Sequence, residues 1–245
     1  MNILIVESEN DEYFVQALVN KISIDNKVCS IDEFKHSSLS KEKLQIQIAS
    51  ALRDVNRGDG VSKIGIILDM DNSNQKDRIS LINSSLNQAL IDLNYVVPEV
   101  LLEDVNTFIT IPIDSELNIK IACYFTNVDG HGELETILKE ISTQESIFAD
   151  CLEEGWINCI THKGKNIVGS NEQGDITHKE ILKLWVDFYK RFDTLKKANR
   201  GEKYTKWKGI MLGDSANNVV ARGENIFNLD APILSELKSF LGLFD

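Results

Sequence analysis

Two carboxylates stand one residue apart at the end of an apolar run, Asp69 and Asp71 in Lys63-Ile-Gly-Ile-Ile-Leu-Asp-Met-Asp71. The run is too short for a helix and is bounded by Gly60 and by Asn72-Ser73-Asn74, which predicts a buried strand. Side chains two apart on a strand share a face, with Cα atoms about 6–7 Å apart. Both acids therefore point the same way. Like charges so placed repel one another unless a cation neutralises them. The spacing suits one hard divalent ion, with oxygen ligands at about 2.0–2.1 Å for Mg²⁺. The competing reading is a solvated loop in which Asp71 or Asn72 caps the following helix.

The elements that must position this pair follow a simple alternation. Asn2 to Val6 reads as an apolar strand with Glu7 at its end, and Ser8 or Asn10 can cap a helix running to about Asn20. Lys27 to Ile31 is a second strand, followed by a helix through Leu44, Ile48 and Leu52 that ends near Arg57-Gly58. After the strand carrying Asp69, Asp77 to Asn94 has helical periodicity. Strand–helix alternation implies parallel pairing with right-handed crossovers. Thr107 to Ile113 and Asn118 to Asn127 read as two more strands, Pro112 marking the former as an edge or as ending there. Ligands of open α/β sheets bind beyond the carboxyl ends of the strands, which is where Glu7, Asp69 and Asp71 all fall.

Beyond Asp129-Gly-His-Gly132 the character changes. Helices are expected over Glu133 to Ile141, Ile147 to Trp156 and Lys179 to Lys197, with a loop from Gly164 to Gly174 between the last two. A final helix is expected to be capped by Asp230, with Pro232 in its first turn. The fold class is α/β: a mostly parallel sheet flanked by helices over residues 1–130, and a mostly helical region over 131–245.

Net charge bounds the partners. The 245 residues carry −12, which argues against a protein that simply coats nucleic acid. From Lys179 to Lys208, however, ten Lys or Arg face only four acids. Lys196, Lys197, Arg200, Lys203, Lys206 and Lys208 are candidates to neutralise a phosphate backbone, beside aromatics able to stack bases. Trp185, Phe188 and Phe192 keep helical spacing and read instead as a core stripe. Cys29, Cys123, Cys151 and Cys159 form no CxxC pair, so reduced thiols are expected. No basic leader or membrane-length apolar run is seen, so a soluble cytoplasmic protein without a membrane partner is expected. His131, His162 and His178 lack ligand spacing, and no GxxxxGK[ST] or GxGxxG phosphate loop follows a strand.

Glu7 after the first strand, the apolar third strand ending Asp69-Met-Asp71, and this element order together resemble the Toprim domain. That is the metal-binding module of topoisomerases, DnaG-type primases and OLD-family nucleases. Ile5-Val-Glu7 with Asp11-Glu-Tyr-Phe14, and Gly65 to Asp71 followed by Arg78, are similar to the Toprim-like proteins related to OLD nucleases. Gly132-Glu-Leu-Glu135 resembles a turn of that group in which an extra acid follows the sheet. Ser8 stands where the group usually has Gly. The resemblance implies Mg²⁺- or Mn²⁺-dependent cleavage of phosphodiesters in DNA or RNA. Asp69 and Asp71 would hold the metal, Glu7 would be general acid/base or a second-ion ligand, and Glu135, less so Glu133, would complete the site. Related nucleases work with an ATPase, and this chain has no ATPase motif, so the resemblance implies a separate ATPase partner, as in a phage-defence system. The rival reading is a catalytically silent Toprim-like adaptor for a protein partner. A receiver domain fits less well, since Ser8 replaces its second acid and none of the three prolines follows a Lys. A haloacid-dehalogenase-type phosphatase would carry its DxD on the first strand of its core, and here it ends the third.

Overall fold

The structure, a computed structural model, describes residues 2–31, 39–56, 60–99, 101–115, 117–130, 132–169 and 174–245. The expected helix end at Arg57-Gly58, and His131, lie outside the described residues. The chain forms two compact units: residues 1–126 with 235–245, and residues 127–234. The sequence reading draws one boundary near residue 130, whereas the structure returns the last helix to the sheet unit.

The first unit is α/β. Its strands are β1 (Asn2–Val6), β2 (Asn26–Ser30), β3 (Lys63–Asp69), β4 (Ile109–Pro112) and β5 (Asn118–Thr126). They lie in the order β2-β1-β3-β5-β4. β1, β2, β3 and β5 pair in parallel, and the edge strand β4 runs antiparallel to β5. Pro112, with no N–H to give, ends that edge strand. Helices α1 (Glu9–Lys21), α2 (Lys41–Asn56) and α3 (Gln75–Asp92) are the crossovers.

Alternation along β3 sorts its side chains between two faces. Ile64, Ile66 and Leu68 enter one core with Ile48 and Leu52 of α2 and Ile82 and Leu86 of α3. Gly65 is on the other face, where a Cβ would stand 2.7 Å from Leu4 Cδ2 and 2.8 Å from Phe244 Cζ. Only glycine lets the Phe244 ring lie so close to the strand.

The second unit holds α4 (Leu134–Glu140), α5 (Ile147–His162), β6 (Ile167–Val168), β7 (Ile176–Thr177), α6 (His178–Phe188), α7 (Glu202–Thr205), α8 (Trp207–Leu212) and α9 (Gly223–Ile226). Trp185 stacks on Tyr189 at 5.1 Å between ring centroids. Trp185 Nε1 donates to Asp150 at 2.7 Å, and the Tyr189 hydroxyl donates to the Ile226 carbonyl at 2.9 Å. Three sequence expectations change here. The loop expected from Gly164 to Gly174 contains β6, which pairs in parallel with β7 just beyond it. The long helix expected over Lys179 to Lys197 ends at Phe188 and passes into a π turn, Tyr189–Asp193. The expected helix from Ile147 runs past Trp156 to His162.

The chain re-enters the first unit with α10 (Ser235–Gly242), preceded by a 3₁₀ turn at Pro232–Leu234 rather than starting at an Asp230 cap. Asn2 Nδ2 donates to the Phe244 carbonyl at 2.8 Å, and Lys63 Nζ donates to the carbonyls of Leu243 and Asp245 at 2.7 and 2.9 Å. Among the described residues no helix is long and apolar enough to cross a membrane.

Candidate metal centre

β1 and β3 are neighbours in register, Val6 opposite Ile67, so the residues that follow them emerge side by side. Glu7 leaves β1 and its Oε2 accepts a hydrogen bond from the Asp69 N–H at 3.3 Å. Asp69 closes β3 and is buried. Past it, the Met70 N–H still bonds the Thr126 carbonyl at 2.9 Å, and the Ser73 N–H folds back onto the Met70 carbonyl at 3.1 Å. That turn places Asp71 at φ +50°, a left-handed conformation that Asp and Asn adopt more readily than most residues.

The helix after the pair is capped by Asn74, whose Oδ1 accepts from the Asp77 N–H at 3.0 Å. Neither Asp71 nor Asn72 takes that role, so the solvated-loop reading loses its cap. Asp71 is held instead by Arg78 on the first turns of α3. The buried guanidinium pairs with the Asp71 carboxylate through Nη2, and its Nε donates to the Met70 carbonyl at 3.4 Å.

Asp69 and Asp71 belong to an acidic group whose carboxylate oxygens lie within 4.8 Å of one another, one that could hold a divalent ion. Opposite ligands of one Mg²⁺ ion are about 4 Å apart when each bond is about 2.0–2.1 Å. Hard carboxylate oxygens are the donors such an ion prefers. The pair fits a divalent cation in both separation and chemistry.

In the second unit the acids at the head of α4 have cationic neighbours. Glu133 is buried and pairs with Lys179 at 3.2 Å. Glu135, two residues on in the first turn of α4, is buried near Lys190. Lys190 is itself buried, with its Nζ 2.6 Å from Asp187 and 4.3 Å from the centre of the Trp207 ring. Burial pushes the Lys190 ammonium below its ordinary pKa, and Asp187 and Glu135 pull the other way. Sequence reasoning counts Lys179 and Lys190 only as members of a basic segment. The available signal was the aromatic stripe on which Lys190 follows Tyr189; the π turn admits an extra residue and carries Lys190 inward.

Of the candidate phosphate-binding residues, Lys196, Lys197, Lys203, Lys206 and Lys208 are exposed. Lys206 pairs with Glu202 one turn away, and Lys203 lies 4.7 Å from the Tyr204 ring. Arg200 is different. It is half-buried, its guanidinium lies 4.9 Å from the Phe192 ring, and it donates to the Leu195 and Phe192 carbonyls, both at 3.2 Å. It holds its own unit together.

A family model described as "Protein of unknown function (DUF3226)" matches residues 1–244. The chain belongs to the DUF3226 family. No curated protein and no solved structure matches it. In this DUF3226 chain, among the described residues of the sheet unit, Asp69 and Asp71 belong to the acidic group that could hold an ion, with Glu7 beside them.

Proposed function

We propose that this DUF3226 chain is a divalent-metal-dependent nuclease that hydrolyses phosphodiester bonds of DNA or RNA. The observation that carries the reading is the Asp69–Asp71 pair, its oxygens within 4.8 Å at the end of a central parallel strand. The sequence resemblance to Toprim-like nucleases supports the same chemistry. Asp69 and Asp71 would hold Mg²⁺ or Mn²⁺, which supplies Lewis-acid polarisation of the phosphate. Glu7, its Oε2 fixed by the Asp69 N–H, would accept the proton of the attacking water. The exposed lysines of residues 196–208 would meet the substrate backbone. A separate ATPase would switch the activity on, the arrangement of a phage-defence effector. Glu135 stays a candidate ligand through the resemblance alone.

One observation favours the adaptor reading. Arg78 already neutralises Asp71, so the acids can be tolerated without a metal. Calorimetric titration with Mn²⁺ together with a cleavage assay separates the two, because a metal-stabilised adaptor binds the ion and cuts nothing. The nuclease reading expects wild-type protein to bind the ion, Asp69→Asn to weaken binding at least tenfold, and Asp69→Ala and Glu7→Ala to abolish Mn²⁺-dependent nicking of plasmid or cleavage of RNA. Wild-type protein that binds no Mn²⁺ overturns it in favour of the adaptor.

A further inference from the structure

We infer that Phe148 is a stacking platform for an unpaired base, which, on the nuclease reading it rests on, makes single-stranded nucleic acid the substrate. Of the aromatic rings among the described residues, Phe148 alone is exposed, with 52% of its surface open. The ring is also held in place. The Asp193 carboxylate accepts from the Phe148 and Ala149 N–H groups at 2.8 and 3.0 Å, which ties the head of α5 to the end of the π turn. Phe192, the residue before Asp193, backs the ring at 6.3 Å between centroids, and Phe188 backs Phe192 at 4.9 Å. The Arg200 guanidinium lies 5.8 Å from the Phe148 ring and 4.9 Å from that of Phe192. Half of a fixed aromatic ring therefore faces solvent.

Charge identifies the occupant. Arg200 donates to the Phe192 and Leu195 carbonyls, so it draws the turn that carries Lys196 and Lys197 against the same rings. Arg222 ties down the flanks of that turn, donating to Thr194 Oγ1 at 3.1 Å and to the Tyr204 carbonyl at 2.7 Å. Among the described residues, none of Lys196, Lys197, Arg200 and Arg222 pairs with an acid. Asp193, the acid nearest in sequence, is turned to the amides of α5. Cations without partners beside one open ring, in a chain of net charge −12, complement an anion that carries a flat face of its own. A nucleotide is such an anion. Proteins that hold single strands combine a positive track for the backbone with aromatic rings on which bases stack. In a duplex each base is already covered by its neighbours, so an isolated protein ring can take only an unpaired one. A run of acidic residues would meet the cations but offers the ring no flat face.

Fluorescence anisotropy in EDTA, where nothing is cut, tests this with a labelled oligo-dT of about 12 nucleotides and a duplex of the same length. Wild-type protein should bind the single strand about tenfold or more tighter than the duplex. Phe148→Leu, a change at an exposed position, should weaken single-strand binding by about five- to a hundredfold. It should leave duplex binding, the salt slope and the melting temperature as they were, and Phe148→Tyr should restore the single-strand affinity. On the wild type itself, an oligo-dT carrying 5-iodouracil should cross-link under light to the peptide that contains Phe148. Equal affinity for single strand and duplex overturns the proposal, as does a Phe148→Leu protein that binds oligo-dT like the wild type, or a cross-link that falls elsewhere. Polyglutamate that binds as tightly as oligo-dT also overturns it and makes the patch a site for an acidic protein. Protein that takes up no Mn²⁺ and cuts nothing, yet shows the Phe148-dependent preference, loses the nuclease reading and keeps the platform. Protein that cuts single strand and duplex alike keeps the nuclease reading and loses the platform.

Discussion

Asp71 carries more structural constraint than any other acid of the candidate site. Its φ of +50° is a conformation that costs most L-residues roughly 1–2 kcal/mol, and the neighbouring Asp69 charge adds repulsion. Arg78 offsets both, because one guanidinium bonds the Asp71 carboxylate and the Met70 carbonyl at the same turn. The pair is largely buried, the side chains 10% and 15% exposed, so removing one partner takes a desolvated ionic contact from the other. Arg78→Met is expected to cost about 2–4 kcal/mol in urea unfolding. Asp71→Asn should cost less, since Asn also accepts positive φ. The double variant should fall short of the sum by about 1–2 kcal/mol. Strict additivity would mean that Arg78 does not hold Asp71.

Among the elements, β3 joins the candidate site to the end of the chain. Gly65 leaves room for Phe244, and Phe244 is a fully buried ring at the far end of the sequence. Gly65→Ala is expected to cost about 1–3 kcal/mol by overpacking. Phe244→Leu in the same chain should recover part of that, because Leu4 and residue 244 are the groups displaced. If the double variant is no more stable than the sum of the single changes predicts, another contact excludes the methyl. The site-bearing strands were legible in the sequence because their signals are local: an apolar run, its length, and an acid at its end. β1 matches the expected Asn2 to Val6 at both ends, and β3, Lys63–Asp69, falls within the apolar run from Lys63. The cap of α3 was not legible, since Asp71, Asn72, Ser73 and Asn74 are all capable caps and the Arg78 contact decides among them. The return of α10 to the sheet depends on contacts between residues such as Asn2 and Phe244, which no local pattern encodes. The inward turn of Lys190 depends on a π turn, which periodicity at 3.6 residues misses.

The whole molecule segregates its charge, and that gives the proposed substrate a test that does not depend on cleavage. Five exposed lysines between residues 196 and 208 can release counterions from a phosphate backbone, whereas Arg200 is engaged within its own unit. Lys197→Gln and Lys203→Gln should each lower the salt slope of DNA or RNA binding by about one, with little change in melting temperature. Arg200→Gln should instead lower the melting temperature. Equal effects of all three on stability alone would remove this segment from the substrate path. Alkaline stability is a second property of the whole molecule. Burial pushes the Cys123 thiol up to about 12 from its ordinary 9, and burial with help from Glu236 pushes the Tyr124 phenol up to about 12 from 10. Between those ordinary values and about 12 the folded chain binds more protons than the unfolded one, so stability falls as pH rises. Each group contributes up to about 1.4 kcal/mol per pH unit. The buried Lys190, with its lowered pKa, acts in the opposite sense up to its ordinary value of 10.5. Between pH 9 and 10.5 the two effects oppose one another, and above 10.5 the thiol and phenol act without that opposition, joined by the Tyr13 phenol, which burial and Glu9 also push up. Unfolding free energy should therefore drop most steeply above pH 10.5. Tyr124→Phe should flatten that limb while leaving the neutral-pH slope unchanged, and a limb of undiminished steepness would assign the loss to other groups.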